Sequence, residues 1–418
     1  MNYLKIEELV NDEFAGECEF LASLVRIATD NPPGDCTAHA ERAHGLLETL
    51  GFTVEMHAPS PDTVRAAGMI SAINIIVRHR FGSGGPCIAL NAHGDVVPPG
   101  LGWTQDPYGA AVVEDPVHGP TMYGRGVAVS KSDFATYTYA LLALQRLDAA
   151  DARALNGCVE LHFTYDEEVG GEIGPRWLLA QGLSRPDFAI GAGFSYSVTT
   201  AHNGCLHLEV TVRGRQGHAA MPESGVDALA ATTGILQAIY DSRAELKTRR
   251  SSVPGITSST INVGLISGGI NTNVVPDRVT FRIDRRIIPE ENPERAEAEL
   301  RQLIEKAASA YSGIRVEIRR VMLALPLTPL PGAERLTRSL QQHGERLFGV
   351  PIGQHGVPLY TDGRHYSEFG IPTVLYGAGP RTLAEANGHG ADECLRLDDL
   401  RRATATVACT LADMLSAS

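Results

Sequence analysis

The sequence predicts an α/β protein in which a larger domain with a mostly parallel sheet is interrupted by a smaller, ferredoxin-like α+β domain. The chain has 418 residues, too many for one ordinary hydrophobic core, so two domains are expected. In the first half, short apolar runs bounded by Gly and Pro alternate with stretches of helical periodicity. From about residue 205 the apolar residues alternate with period two instead, which is typical of half-solvated strands.

The first part of the chain predicts the larger domain. Helical periodicity covers 5–30, 37–51 and 132–147, and apolar runs predict buried strands at 71–78, 87–92 and 158–165. Alternating strands and helices favour a mostly parallel sheet with both faces covered.

The second part predicts the insertion. Its elements follow the β-α-β-β-α-β order of a ferredoxin-like domain: strand 206–213, helix 225–247, strands 259–267 and 278–287, helix 293–311 and strand 314–321. A proline-rich linker follows, and then helix 333–348, strand 372–376 and helix 398–416 resume the first pattern. We therefore expect one domain from 1–204 and 322–418, and an inserted domain from 205–321.

Composition excludes several classes of protein. The net charge of −13 argues against nucleic-acid binding, which needs clustered Lys and Arg. The sequence has no run of about 18 apolar residues, which a membrane span would need. The N-terminus lacks the features of a signal peptide. We therefore expect a cytoplasmic protein that is not associated with a membrane. Seven cysteines without a CxxC spacing argue against a zinc finger or a disulfide framework.

Three polar motifs lie near predicted strand ends or in Gly-rich turns. His93-Gly-Asp95 follows one strand, Asp166-Glu167-Glu168 ends another, and His389 begins the turn that runs to Glu393. Adjacent carboxylates in an apolar neighbourhood are costly unless a cation is present. Each motif alone fits a plain turn histidine or a solvated acidic loop, whereas together they indicate a metal site.

In combination the motifs resemble the aminoacylase/carboxypeptidase-G family of metallopeptidases, which includes acetylornithine deacetylase and succinyl-diaminopimelate desuccinylase. The resemblance runs from about residue 15 to 415. The matching segments, in order, are Asn91-Ala-His-Gly-Asp95, Tyr123-Gly-Arg-Gly126 with Lys131, Asp166-Glu-Glu168, Gly214-Arg-Gln-Gly-His-Ala-Ala-Met-Pro222, Gly268-Gly-Ile-Asn-Thr-Asn273, Asp284-Arg-Arg286 with Pro289, Thr361-Asp362 and His389 to Glu393.

The resemblance implies a role for each motif residue of the larger domain. His93, oriented by Asp95, would bind a metal together with Glu168 and His389, and Glu167 would be the general base.

In the inserted domain, the resemblance implies that His218 reaches across the interface of a homodimer, or of a higher homo-oligomer, to stabilise the oxyanion in the partner's site. Arg286 and Asn273 would contact a substrate carboxylate, for which a bidentate Arg is well suited.

The sequence departs from the family at two metal-binding positions. Where the family loop carries an Asp that bridges two metals, this chain has Val129, and Ala192 or a neighbour stands where a second carboxylate is expected. Neither side chain can bind a cation. The remaining ligands predict one divalent transition metal per chain (Mn, Zn, Co or Fe) and no second one. Asp133 and Asp166 remain candidates to replace the missing carboxylate, as do His202 and His207.

We therefore predict a metal-dependent hydrolase that cleaves a C–N bond of a small carboxylate-bearing substrate by means of metal-activated water. Two substrate types stay open: an N-acyl amino acid, and an aromatic amine such as the substrate of the nitroanthranilate aminohydrolase in the same family. The alternative is a repurposed relative that acts as a metal-free transferase or a small-molecule binding protein. A deliberately inactivated variant is disfavoured because Ser132 and the 191–194 segment depart from the family as well as Val129.

Overall fold

The computed structural model describes residues 2–116, 119–150 and 155–416. The α-helices of this part are α1 (Tyr3–Val25), α2 (Thr37–Thr49), α3 (Pro61–Ala66), α4 (Lys131–Ala150), α5 (Pro175–Ala180), α6 (Ala228–Leu246), α7 (Pro293–Ala308), α8 (Ala333–Phe348), α9 (Gly363–Glu368) and α10 (Leu397–Leu415). The strands are β1 (Val54–His57), β2 (Asn74–Phe81), β3 (Cys87–His93), β4 (Ala111–Asp115), β5 (Gly119–Tyr123), β6 (Gly157–Thr164), β7 (Phe188–Gly191), β8 (Ser197–His202), β9 (Gly204–Arg213), β10 (Thr260–Gly268), β11 (Arg278–Ile287), β12 (Arg315–Ala324), β13 (Gly353–Val357), β14 (Thr373–Leu375) and β15 (Cys394–Arg396).

The chain folds into two compact units. Unit 1 contains residues 1–200, 329–354 and 361–418, and unit 2 contains residues 201–328 and 355–360. None of the helices in the described part is long and apolar enough to cross a lipid bilayer.

The main sheet of unit 1 has eight strands in the order β1-β2-β6-β3-β7-β14-β8-β13. Its centre, β6-β3-β7-β14, is parallel, and the pairs β1-β2, β2-β6 and β14-β8 are antiparallel. Every residue of β6 is buried, as expected for a strand covered on both faces. Helix α4 lies against α1 and α10 on one side and against β3 and β6 on the other, which explains why it is buried along most of its length.

A smaller sheet, β15-β5-β4, completes unit 1, and the sequence did not predict it. Its short strand β15 pairs with β5 from Cys394–Tyr123 to Arg396–Thr121. This pairing holds the segment around His389 beside the glycine loop that follows Tyr123.

Unit 2 has the ferredoxin-like topology, with the strand order β10-β11-β9-β12. One face of β9 presents Leu206, Leu208 and Val210, which are fully buried in the core formed with α6 and α7. The other face carries Cys205 and His207, because successive strand residues point to opposite sides. The predicted fold class, a mostly parallel α/β domain with an inserted α+β domain, is confirmed.

Candidate metal centre

Sheet topology brings two of the motifs together in unit 1. Strands β3 and β6 are parallel neighbours, with His93 opposite Thr164 at their carboxyl ends. The chain leaves β6 and enters a 3₁₀ turn, Glu167–Val169. Since neighbouring parallel strands end at the same edge of a sheet, the acidic turn lies next to His93.

The metal-binding atoms of this site converge. His93, Glu167 and Glu168 each offer one atom that lies within 4.8 Å of the other two. The Nε2 atom of His93 is 4.0 Å from Oε2 of Glu167, and Nε2 of His389 is 3.5 Å from Oε1 of Glu168. His389 adopts a left-handed backbone with φ of 63°, and half of its side chain (52%) is exposed. The structure therefore places the three predicted ligands and the predicted base in one cluster.

Asp95 fixes the geometry of this cluster through several contacts. Nδ1 of His93 lies 2.9 Å from the backbone oxygen of Asp95 and 3.4 Å from its Oδ1, so Nε2 is the nitrogen left for a metal. The Asp95 carboxylate also accepts the backbone N–H of Glu167 at 3.3 Å and of Glu168 at 3.1 Å. Asn31 donates to the same carboxylate at 2.9 Å. Asp95 thus positions the acidic turn as well as the imidazole.

The protonation of the site reflects its crowding. Burial raises the pKa of Glu167 well above its ordinary value, against the pull of His93 and with further repulsion from Glu168 and Asp362. Burial likewise raises the pKa of Glu168 to about 7. Burial alone would lower the pKa of His93, but its bond to Asp95 and the charge of Glu167 raise it well above its ordinary value. A divalent cation would relieve the repulsion and favour the ionised carboxylates.

A buried ion pair holds the glycine loop. Nη1 of Arg125 is 2.5 Å from Oε2 of Glu393, and both side chains are at most 1% exposed. The other oxygen of Glu393 accepts three backbone N–H groups of the loop, from Gly126, Ala128 and Val129, at 2.9 to 3.2 Å. The loop next to the site is therefore fixed by a carboxylate from the far end of the chain. The sequence marked Glu393 only as the end of a matching segment.

The carboxylates proposed to replace the missing ligand bind backbone N–H groups. Oδ1 of Asp133 accepts the N–H of Ala378 at 2.7 Å, and burial raises its pKa to about 7. Oδ2 of Asp166 accepts the N–H of Ile173 at 2.7 Å. Both side chains thus have a structural role, although Oδ1 of Asp166 has no hydrogen-bond partner among the described residues.

One further carboxylate belongs to the cluster and was not predicted as a site residue. Asp362 precedes α9, is buried, and repels Glu167 and Asp166. Burial raises its pKa to about 7, and Oδ2 lies 3.5 Å from the Thr164 hydroxyl. The only sequence signal for Asp362 is its place in the segment Thr361-Asp362.

The predicted site residues of unit 2 lie in two places. His218 and Asn273 are close through the backbone, since the N–H of Ala219 donates to the oxygen of Asn273 at 3.0 Å. Arg286 contacts Asp284 on its own strand, with Nε to Oδ1 at 3.0 Å and Nη2 to Oδ2 at 3.1 Å. Two nitrogens of its guanidinium group are therefore already hydrogen-bonded to a carboxylate of the same chain. Two other candidates for replacing the ligand also lie in unit 2. His202 is buried and bonded to backbone groups of unit 2, and Nε2 of His207 lies 3.1 Å from Oδ2 of Asp284.

Comparison with known proteins shows which proteins the chain is similar to. Residues 200–312 match the model of a peptidase dimerisation domain. The chain is 28% identical to acetylornithine deacetylase of Myxococcus xanthus, over 88% of this chain and 89% of that one. It is 26% identical to succinyl-diaminopimelate desuccinylase of Rhodospirillum centenum, over 89% of this chain and 91% of that one.

Solved structures share the fold. Human carnosine dipeptidase 1 superposes with a TM-score of 0.73 at 15% identity, covering 99% of both chains. A Bacillus subtilis protein described as a dinuclear metal-binding peptidase of the M20 family gives a TM-score of 0.64 at 16% identity, covering 97% of this chain and 99% of that one.

The fold and the site define a hydrolase of the amidohydrolase or peptidase type, which confirms the predicted class of enzyme. Over most of its length the chain is similar to enzymes of this type, and residues 200–312 match the dimerisation domain of the M20 peptidases. This confirms the family resemblance noted in the sequence.

Proposed function

We propose that the protein is a metal-dependent hydrolase with a single divalent metal, and that it cleaves a C–N bond of a small carboxylate-bearing substrate. The observation that carries this proposal is the convergence of His93, Glu167, Glu168 and His389 in one partly buried cluster. Without a cation, this cluster places an acidic pair in a largely buried position, which is unfavourable.

The donor set fits one divalent metal. His93, His389 and Glu168 would hold it, and two His with one carboxylate leave open positions for water and substrate. Val129 and Ala192 contribute no ligand atom, and Asp133 binds the backbone instead. The metal would be Mn, Zn, Co or Fe. When bound, it would lower the pKa of water and polarise the scissile group.

The chain's own residues would then handle the proton. Glu167 would accept a proton from the attacking water and deliver it to the leaving nitrogen. Asp95 would keep Glu167 in place through the backbone bond and hold the His93 ring with Nε2 facing the acidic turn. In this proposal residues 1–204 and 322–418 form the catalytic domain, and residues 205–321 form the dimerisation and lid domain in a cytoplasmic homodimer.

The substrate-binding part of the proposal rests on matches to the family segments. His218 would stabilise the oxyanion of the partner's site, and Asn273 would contact the substrate carboxylate. Arg286 would contact the substrate only if its guanidinium group turned away from Asp284 or donated through Nη1, the nitrogen that does not bind Asp284. The relatives are named for hydrolysis of N-acetyl and N-succinyl amino acids, which supports an amide substrate. The aromatic amine stays as the second substrate type.

The test combines metal content with activity of Glu167→Gln on N-acyl amino acids and aminobenzoates. We expect about one metal per chain that is lost in His93→Ala, and a loss of kcat of roughly 10²- to 10⁴-fold, the usual contribution of a general base. Glu172→Gln is the matched control, because Glu172 lies five positions further on, is exposed and pairs with Arg176. Two tightly held metals that are both lost in His93→Ala would contradict the single-metal site, and full activity of Glu167→Gln would remove the proposed base. Activity that survives chelation would favour the metal-free alternative.

A further inference from the structure

A second group of metal-binding atoms lies in unit 2, on the face of its sheet opposite the helices. Strand register creates it: on β9 and β11, His207 is paired with Asp284 and Cys205 with Arg286. Residues two apart on a strand share a face, so all four side chains stand on the same side. This group shares no residue with the site of unit 1.

The three donor atoms form a triangle. Sγ of Cys205 is 3.3 Å from Nε2 of His207 and 3.7 Å from Oδ2 of Asp284, and Nε2 is 3.1 Å from that same oxygen. In a tetrahedral zinc site, bonds of about 2.3 Å to sulfur and about 2.0–2.1 Å to nitrogen and oxygen set the ligand atoms roughly 3.3–3.6 Å apart. The three observed separations, 3.1, 3.3 and 3.7 Å, span that range.

The triangle does not have the geometry of a nucleophile relay. In a Cys–His–Asp relay, one imidazole nitrogen faces the thiol and the other faces the carboxylate. Here a single nitrogen, Nε2 of His207, lies near both Sγ of Cys205 and Oδ2 of Asp284. One nitrogen cannot donate to the carboxylate and accept the thiol proton at once, whereas three donors around one point suit a cation.

The surroundings also suit a metal. A thiolate with an imidazole and a carboxylate is a donor set for zinc or cobalt. Arg286 donates to both oxygens of Asp284, as hydrogen-bonding groups around metal ligands commonly do. Cys205 is buried, while 36% of the His207 side chain and 31% of Asp284 are exposed, which leaves a path from solvent. The positive charge of Arg286 opposes a cation, and the charges of the thiolate and the carboxylate offset it.

We propose that Cys205, His207 and Asp284 form a thiolate-containing site for a divalent transition metal of the zinc class, with a fourth position open to water or another ligand. The proposal is independent of the metal site in unit 1, which contains no cysteine.

The test is to load the full-length protein with Co²⁺ and record the thiolate-to-cobalt charge-transfer absorption in the near ultraviolet. Only a cysteine ligand produces this band, so cobalt bound by His93, Glu168 and His389 does not contribute. We expect the band in the unmodified protein and its loss in Cys205→Ser and in His207→Ala. Zinc competition should show a loss of affinity in both variants larger than the about 10–100-fold typical for an outer-shell partner.

Cys158→Ser is the matched control, because it disrupts the other thiol-bearing donor group, Cys87, Cys158 and Glu160. It should keep the band. A band that is lost in Cys158→Ser but kept in Cys205→Ser would overturn the proposal, as would the absence of any band in the unmodified protein. Circular dichroism melting checks that each variant is folded, and His207→Ala keeps the test decisive if Cys205→Ser does not fold.

Discussion

Replacing Val129 by Asp restores the carboxylate that the family resemblance implies at this position of the loop. Val129 is half-buried, its N–H bonds to Glu393, and the adjacent Ser130 hydroxyl accepts the N–H of His93 at 3.1 Å. A carboxylate at position 129 is therefore added one residue away from a contact of His93 and next to the buried carboxylate of Glu393. We expect Val129→Asp to destabilise the metal-free protein and to strengthen metal binding.

The size of the destabilisation follows from the pKa values of two carboxylates in the cluster, Glu168 and Asp362. The pKa of Glu168 rises from 4.5, and that of Asp362 from 3.8, to about 7 in each case, mainly through burial. At about 1.4 kcal/mol for each pH unit by which a pKa moves, keeping either carboxylate ionised without a cation costs roughly 3–4 kcal/mol. A new carboxylate at position 129 should cost about 3 kcal/mol at pH 8, which lowers Tm by roughly 3 °C for a chain of this length.

The assay is thermal unfolding at pH 8, with chelator and with saturating Mn²⁺. Val129→Asn is the matched control, since it has the same shape without the charge. At a metal concentration of 100 times Kd, binding contributes about 2.7 kcal/mol, so Mn²⁺ should recover most of the loss in Val129→Asp. Adding Ala192→Glu should add one further metal per chain to the content of the unmodified protein. Equal Tm for Val129→Asp and Val129→Asn in chelator would refute the reasoning, as would equal protection of both by Mn²⁺.

Three further outcomes are expected. Glu393→Gln leaves Arg125 buried without its partner charge and should cost about 3–5 kcal/mol in denaturant unfolding, with a loss of activity; an unchanged midpoint would contradict this. Asp133→Asn keeps an acceptor for the N–H of Ala378, so metal content should be unchanged, and a loss of bound metal would make Asp133 a ligand. Burial raises the pKa of Glu17 from 4.5 to about 8, so the folded state holds a proton that the unfolded state releases. Stability should therefore fall between pH 4.5 and 8 by at most about 5 kcal/mol, and Glu17→Gln should flatten that slope in urea titrations.

Local patterns predicted those parts of the fold that depend on them. The period-two alternation of β9 and the order of elements in unit 2 define a ferredoxin-like sheet, and the apolar runs of β3 and β6 mark buried strands. The end of β3 at His93 and of β6 before Glu167 put the two motifs at one sheet edge, because parallel neighbours share their direction. The helix predicted at 5–30 ends earlier, at Val25.

Sequence patterns did not predict the contacts between residues that lie far apart along the chain. Strand β15 has three residues, too few for a periodicity, and it exists only because β5 lies beside it. The contacts of Glu393 with Arg125 and the loop join residues 264 to 268 positions apart. Asp284 showed in the sequence only as part of a matched segment, and its contact with Cys205 required the register of β9 and β11.

The hydrogen bonds between Glu393 and the glycine loop also limit when the site can form during synthesis of the chain. His93, the loop and the acidic turn are synthesised before residues 201–328 of unit 2, whereas His389 and Glu393 emerge from the ribosome only after them. Until they do, Arg125 and the loop N–H groups lack their carboxylate partner, and the proposed metal would lack one of its ligands. The nascent chain therefore cannot hold a mature site, and a polypeptide cut before residue 389 is expected to be inactive however well its first strands have formed.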